Sequence, residues 1–235
     1  MEPLLKALHQ ANIANANYSQ ADPAQAGWLK DLQQSVATPT STPWTGYFSL
    51  GAGASAPIQV LIDIKTDGNK TWPYVVKQLQ PLRDLGWLTR YDKGTLIPGP
   101  VTIIGTGATP ISQVAPLEER DYFFDCPLGA LEGAPAYVAP DGTSYPYNST
   151  LCGIASVDFE KLSGGWKGLT DSPPDAVKKS LIDAVDQSHR LGIKTRYWDT
   201  PEWPRYAMDN VNKFLLSIGS DWINADDLEY VASKF

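Results

Sequence analysis

The chain has 235 residues, of which 43% are hydrophobic and 19% charged, the balance of a globular protein with a substantial core in one large domain or two small ones. Its net charge is -7 and it holds no run of Lys or Arg. That excludes a nucleic-acid groove and a polybasic membrane patch, both of which need clustered positive charge, so an anionic phosphate must be met by a metal ion or by cations placed one at a time.

The opening MEPLLKALHQAN has no basic leader, no apolar run of adequate length and no small-residue cleavage site, and so does not read as a signal peptide. No segment reaches the ~20 apolar residues of a membrane span. Leu4, Leu5 and Leu8 stand at helical spacing, which predicts a helix to about Ala14. Residues 15–57 are rich in Asn, Pro, Ser, Thr and Gly around one apolar cluster, Trp28, Leu29 and Leu32. They read as a long loop with a short helix inside it, an insertion over one face.

Regular alternation begins at Ile58. IQVLIDIK is an apolar, β-branched run ending in charge, as expected of a buried parallel strand that opens into a site. Thr71 to Leu85 has helical period and stops at Gly86. VTIIG at 101–105 predicts a second strand, followed by a short helix near Pro110 to Val114, and YFFDC at 122–126 predicts a third strand. A loop rich in Gly, Pro and Tyr covers 127–149, and LCGIASVDF at 151–159 is a fourth strand. The stretch from Pro173 to Leu191, stopped by Gly192, is the clearest helix. IKTRYW is a fifth strand, Trp203 to Ile218 a further helix, and DWINADD a short sixth strand.

Strands alternating with helices imply right-handed βαβ units and a parallel sheet. Six strands do not close an eight-stranded barrel. The pattern is an open sheet or an incomplete (β/α)8 TIM barrel with about six of eight strands; the opening helix has no strand before it, which favours one barrel domain over 1–235 lacking its N-terminal part. Cys126 falls just past one strand and Cys152 at the start of another, opposite ends in a parallel barrel, which argues against a bridge. Sequons stand at Asn17, Asn69 and Asn148; the last two lie in polar stretches that permit glycosylation of a secreted or lumenal protein.

Asp63 and Lys65 are two apart on a strand, so they share a face, which in a barrel is the interior. An inward carboxylate beside an inward ammonium is costly unless paired or used. A structural ion pair and a catalytic-rim pair both remain open. Asp199 and Asp226 lie at strand ends, where Asp199 could cap the next helix and Asp226 could be a loop carboxylate or a cap. Asp125 at another strand end suits a structural hydrogen bond or a substrate contact. Gly105-Thr106-Gly107 is like a phosphate-binding turn, a weak signal alone. Arg196 either faces a phosphate or pairs beyond the strand. His9 and His189 both fall on predicted helices, as surface or packing residues. Eight Trp and eleven Tyr exceed what a core of this size needs, so some line a pocket.

LIDIKTDGNKTWPYVVKQLQPLRDLGWLT, VTIIGTG, RDYFFDCPL, GIKTRYWDTPEWP and NADDL together resemble the fungal altered inheritance of mitochondria protein 6 family, within the phospholipase C-like phosphodiesterase superfamily. The resemblance runs from about Ile58 to the C-terminus. It implies a divalent metal, Mg²⁺ or Ca²⁺, bound by an acidic residue at the position of Asp63, and a phosphate met by a lysine at the position of Lys65. It also implies a substrate pocket lined by the Trp that matches Trp198, and a phosphodiester or phospholipid substrate. The superfamily further needs a His on its first strand, two acidic ligands on its second and a His just after. This chain begins after those positions, so no catalytic residue is assigned and the chain as written is expected to be inactive. A non-catalytic remnant binding a lipid headgroup or a protein is one alternative. A glycoside hydrolase barrel, which needs paired carboxylates, is another.

Overall fold

A computed structural model describes residues 57–235; the predicted opening helix, the 15–57 connection up to its last residue, His9 and the Asn17 sequon lie outside the described residues. Two compact units divide the chain, one ending at Phe124 and one beginning at Asp125.

The first unit opens with β1, Ile58–Ile64. Asp67 caps the next helix, α1 (Gly68–Gln78), its carboxylate accepting from the Lys70 N–H, which satisfies one of the orphan donors of a helix start. The helix predicted over 71–85 is divided at Leu79, with α2 over Gln80–Asp84. Pro81 is the cause: it has no N–H to return to the preceding turn and its ring crowds that turn, but it is tolerated where a new helix starts. Pro73 poses the same problem inside α1. The carbonyl of Asn69 loses its helical donor, and Gln113 Nε2 approaches it at 3.4 Å and donates to Asn69 Oδ1 at 3.2 Å. Trp72 is buried beneath this helix and meets Tyr122 edge-on at 5.3 Å.

A hairpin of β2 (Arg90–Asp92) and β3 (Thr95–Ile97) follows. Its two-residue turn, Lys93-Gly94, has φ 45° and 95°, the positive pair that suits the twist of a tight hairpin. β4 (Val101–Gly107) lies parallel to β1 along its whole length, Ile58 opposite Val101 and Ile64 opposite Gly107. Its first five residues are buried, as a central parallel strand covered on both faces requires. A single 3₁₀ turn, Ile111–Gln113, stands where the short helix was predicted. β5 (Glu119–Arg120) joins β2 antiparallel, and β6 (Phe123–Pro127) pairs parallel with β4, Phe123 opposite Ile104.

In the second unit the stretch predicted as loop over 127–149 contains a hairpin of β7 (Ala136–Val138) and β8 (Ser144–Pro146), with Tyr137 and Tyr145 stacked across it. β9 (Cys152–Asp158) leads into the short α3 (Phe159–Leu162), then α4 (Asp175–Arg190) and β10 (Thr195–Trp198), which is parallel to β9. α5 (Arg205–Ser217) and α6 (Leu228–Lys234) close the chain. Leu181 and Val185 of α4, Tyr197 of β10, and Val211 and Leu215 of α5 are buried, with Phe159, Trp166 and Phe214 in successive ring contacts. Tyr197 donates its hydroxyl to the Leu181 carbonyl at 3.1 Å, tying the strand to the helix.

The parallel strands follow the order β1-β4-β6-β9-β10. Among the described residues the fold is α/β and barrel-like but incomplete, with five parallel strands. The expected sixth strand is a single parallel bridge between Arg196 and Trp222. The cysteine expectation is overturned: Cys126 and Cys152 form a disulfide with Cα atoms 5.5 Å apart, within the range a bridge needs. Cys126 lies inside β6 and Cys152 opens β9, and these strands are neighbours in the sheet, which brings the two backbones within bridging distance.

Candidate functional site

Barrel-type α/β folds hold their chemistry at the C-terminal ends of the strands. In the first unit that place is the end of β1. Asp63 is its penultimate residue and Lys65 follows its last, and the Lys65 ammonium sits 2.8 Å from Asp63 Oδ2. The lysine side chain is 81% exposed and the aspartate 45%. Expectation and structure part here: the two residues are paired but solvated, because β1 lies at an edge of the described sheet and Lys65 stands beyond the strand.

Gly107, opposite Ile64, makes the carboxylate's position possible. At φ 65° a Cβ would stand 2.2 Å from Asp63 Oδ1 and 2.6 Å from the Ile64 carbonyl, closer than any side chain tolerates. The Ala108 N–H donates to that carbonyl at 2.8 Å, fixing the end of β4 against the end of β1. At Gly105 a Cβ would come within 2.8 Å of Trp72. Both glycines of the Gly-Thr-Gly turn thus have packing reasons of their own.

Among the described residues, no three of His, Cys, Asp and Glu come together as a metal site. Asp63 is one carboxylate with one oxygen already facing Lys65. Mg²⁺ and Ca²⁺ take about six to eight oxygen ligands, so the described residues alone do not make such a site. A cleft of about 670 Å³ in the same unit is walled by Arg83, Arg90 and Arg120 among others. Arg83 is held by Asp121 at 2.5 Å and 2.8 Å, and Arg120 lies over the Tyr91 ring and donates to the Leu117 carbonyl, so these two cations are already engaged.

In the second unit the corresponding place is the end of β10. Arg196 donates to Asn224 Oδ1, and Trp198 is 38% exposed. A cleft of about 500 Å³ opens at this end, its walls including Asp199, Glu202, Trp203, Asn224 and Asp226; Trp198 is not among them. Asp199 sits at φ 57°, a left-handed conformation that Asp and Asn adopt more readily than most residues. It caps nothing: α5 starts after Pro204 without a side-chain cap. Asp226 is likewise no cap, because Asp227 takes that part for α6. The Tyr230 N–H and the Arg205 guanidinium hold Asp227 below the usual carboxylate range. Asp125 accepts from Ser156 Oγ at 2.5 Å, a structural hydrogen bond of the kind that was one of its two readings.

Sequence reasoning missed Glu160 and Lys167, which also wall this cleft and pair at 3.0 Å. The signal available was the glycine-rich GGWKG after the fourth predicted strand, since loops there reach the functional end of such folds. Gly168 at φ 73° lets this loop close on α5, where a Cβ would meet the Ala207 carbonyl at 2.2 Å. Four carboxylates and one paired ammonium make the cleft electronegative, which disfavours a phosphate and suits a cationic or hydroxyl-bearing group. His189 lies elsewhere. Its Nε2 meets Asp221 Oδ2 at 2.8 Å, and Asp221 also accepts from the N–H and hydroxyl of Thr195, the first residue of β10. That is the strand end opposite Trp198, and His189 is an exposed residue of α4, the surface position that was one of its two expected readings.

Residues 28–125 match the AIM6-like phosphodiesterase domain, so the class this stretch resembles is that of a phosphodiesterase domain. The chain belongs to the altered inheritance of mitochondria protein 6 family. It is 36% identical over 196 residues to the altered inheritance of mitochondria protein 6 homolog of Arthroderma benhamiae, covering 81% of this chain and 56% of that one. To the Saccharomyces cerevisiae protein of that name it is 33% identical over 197 residues, 74% of this chain and 46% of the other. To the Eremothecium gossypii protein it is 29% identical over 185 residues, 74% and 45%. The chain spans about half the length of the curated relatives it matches. No solved structure matches it. No described helix is long and apolar enough to cross a membrane.

Proposed function

We propose that this chain is the phosphate-handling part of a phosphodiesterase acting on glycerophospholipid-like diesters, with Lys65 meeting the phosphate. The carrying observation is the solvated Asp63–Lys65 pair at the end of β1, with Gly107 reserving the space of the carboxylate. An incoming phosphate competes with Asp63 for the Lys65 ammonium. Once engaged, the ammonium offsets the charge that gathers on the phosphoryl oxygens in the transition state. Asp63, released from the lysine, is an oxygen ligand for Mg²⁺ or Ca²⁺ in a set that needs further ligands beyond the described residues; such a cation would neutralise the diester. In the second unit by itself, Trp198 offers an exposed aromatic surface at the end of β10, next to Arg196, which donates to Asn224.

His189, on α4, is held by Asp221 near the start of β10, the strand end opposite Trp198, and no described imidazole stands at a strand's C-terminal end to act as general acid or base. We take the 235-residue chain alone to engage a phosphorylated headgroup without turning it over. The family match favours a phosphodiester over a glycosidic bond.

The test compares wild type, Asp63→Asn and Lys65→Met in the 235-residue chain and in a form as long as its relatives, on lysophospholipid and glycerophosphodiester substrates. The long form should show divalent-metal-dependent turnover that falls about 10²–10³-fold in Lys65→Met. The short chain should not exceed its own Lys65→Met control. Unchanged turnover of the long form in both variants sinks the assignment, as does metal-dependent hydrolysis by the short chain that Asp63→Asn abolishes.

A further inference from the structure

We propose that Asn148 carries an N-linked oligosaccharide and that Asn69, the other described sequon, does not. In Asn148-Ser149-Thr150 the asparagine Oδ1 accepts from the Thr150 N–H at 2.9 Å, the Thr150 hydroxyl at 2.7 Å and the Leu151 N–H at 3.2 Å. The tripeptide is thus folded with the hydroxyl of its third residue against the amide carbonyl of its first. That contact draws electron density toward Oδ1 and away from Nδ2, leaving an N–H that is easier to deprotonate; it gives the sequon's hydroxyl a chemical reason. The segment is a turn between β8 and β9, Asn148 is partly exposed and Ser149 exposed.

Asn69 has the same sequence signature and the wrong geometry. It lies inside α1, and its Oδ1 accepts from Gln113. Its Thr71 hydroxyl bonds Thr66 Oγ1 at 2.7 Å instead, and helical twist carries residues two apart to different faces. The second, independent observation is the bridge between Cys126 and Cys152, both buried. Buried structural disulfides belong to oxidising compartments, which are also where oligosaccharide is transferred to asparagine.

The transfer balances as a substitution at the sugar. Asn148 Nδ2 attacks the anomeric carbon of an oligosaccharide linked to a lipid diphosphate, and a C–N bond forms as the C–O bond to the diphosphate breaks. The lipid diphosphate leaves with the electron pair, and the proton from Nδ2 passes to a base of the transferase.

The experiment isolates the protein from the organism that makes it. It is treated with peptide N-glycosidase in heavy-oxygen water, and its peptides are weighed with and without treatment. The Asn148 peptide should appear only after treatment, as an aspartate carrying heavy oxygen, and the Asn69 peptide should be unchanged. An Asn148 peptide at full abundance and native mass before treatment overturns the proposal. In the same organism, Thr150→Ala should lose the glycan and run on a gel with enzymatically stripped wild type, whereas Thr150→Ser should retain it. A glycan that persists on Asn148 in Thr150→Ala overturns the role given to the hydroxyl.

Discussion

A hydrogen in place of a methyl group at residue 107 leaves the space that the Asp63 carboxylate occupies. Gly107→Ala therefore carries two penalties, a left-handed φ for an L-residue and a clash with the carboxylate and the Ile64 carbonyl. Gly94, at φ 95° with nothing within 4 Å of its missing Cβ, carries only the first. Urea unfolding should show a loss of roughly 1–2 kcal/mol for Gly94→Ala and a further ~1–3 kcal/mol for Gly107→Ala. Equal losses would mean that the carboxylate is not held where the structure puts it. Asp63→Asn and Lys65→Met, by contrast, break a solvated ion pair and should each cost less than about 1 kcal/mol in the same measurement. Loss of turnover in those variants then reports chemistry, not unfolding. That the two residues share a face was legible from their spacing of two. That the face is open to water was not, because exposure depends on what lies beside β1.

Between elements, Asp221 fastens the start of β10 to the end of α4. Burial works against its charged form, but the bonds from His189 and from the N–H and hydroxyl of Thr195 outweigh burial and leave its pKa below the usual carboxylate value. A carboxyl lowered on folding stabilises the native state above its unfolded-state pKa, near about 4. That contribution drains away as pH falls through the lower folded value. Asp221→Asn should thus unfold at a lower temperature than wild type near neutral pH, and the gap should narrow below about pH 4. Thermal midpoints collected across that range check it; a gap that stays constant down to acid pH would show that the charge of Asp221 is not what fastens the strand. The helix divided at Leu79 belongs to the same scale. Pro81 was visible in the sequence, but the apolar period runs on across the break, since α2 turns the same side inward and buries Leu82.

For the molecule as a whole the disulfide is the long-range constraint that can be tested directly. It joins residues 26 apart in sequence and closes a loop that contains the β7–β8 hairpin. Closing a loop of that length removes unfolded-state freedom worth about 3.5 kcal/mol in the chain-entropy account. The double variant Cys126→Ser, Cys152→Ser should lose stability on that order against the oxidised wild type in a denaturant titration, and dithiothreitol should bring the wild type down toward it. Coincident curves in all three cases would mean that the bridge does not form.

What the sequence by itself determined is the parallel core. VTIIG and CGIASVD became β4 and β9 because strands covered on both faces are unbroken apolar runs. The helix from Asp175 to Arg190 followed from its period and its glycine stop. The Asp63–Lys65 pair and the family resemblance were also legible there, both carried by residues adjacent along the chain. Only the tertiary structure decided the rest. β2, β3 and β5 are two or three residues long, too short for any period to register, and they exist because their partners stand beside them. Cys126 and Cys152 pair through space against the order of the strand ends. Glu160, Lys167, Asp199 and Asp226 share one cleft though 66 residues separate the first from the last. No local pattern encodes such a meeting, because burial and charge at each position depend on neighbours that only the folded backbone supplies.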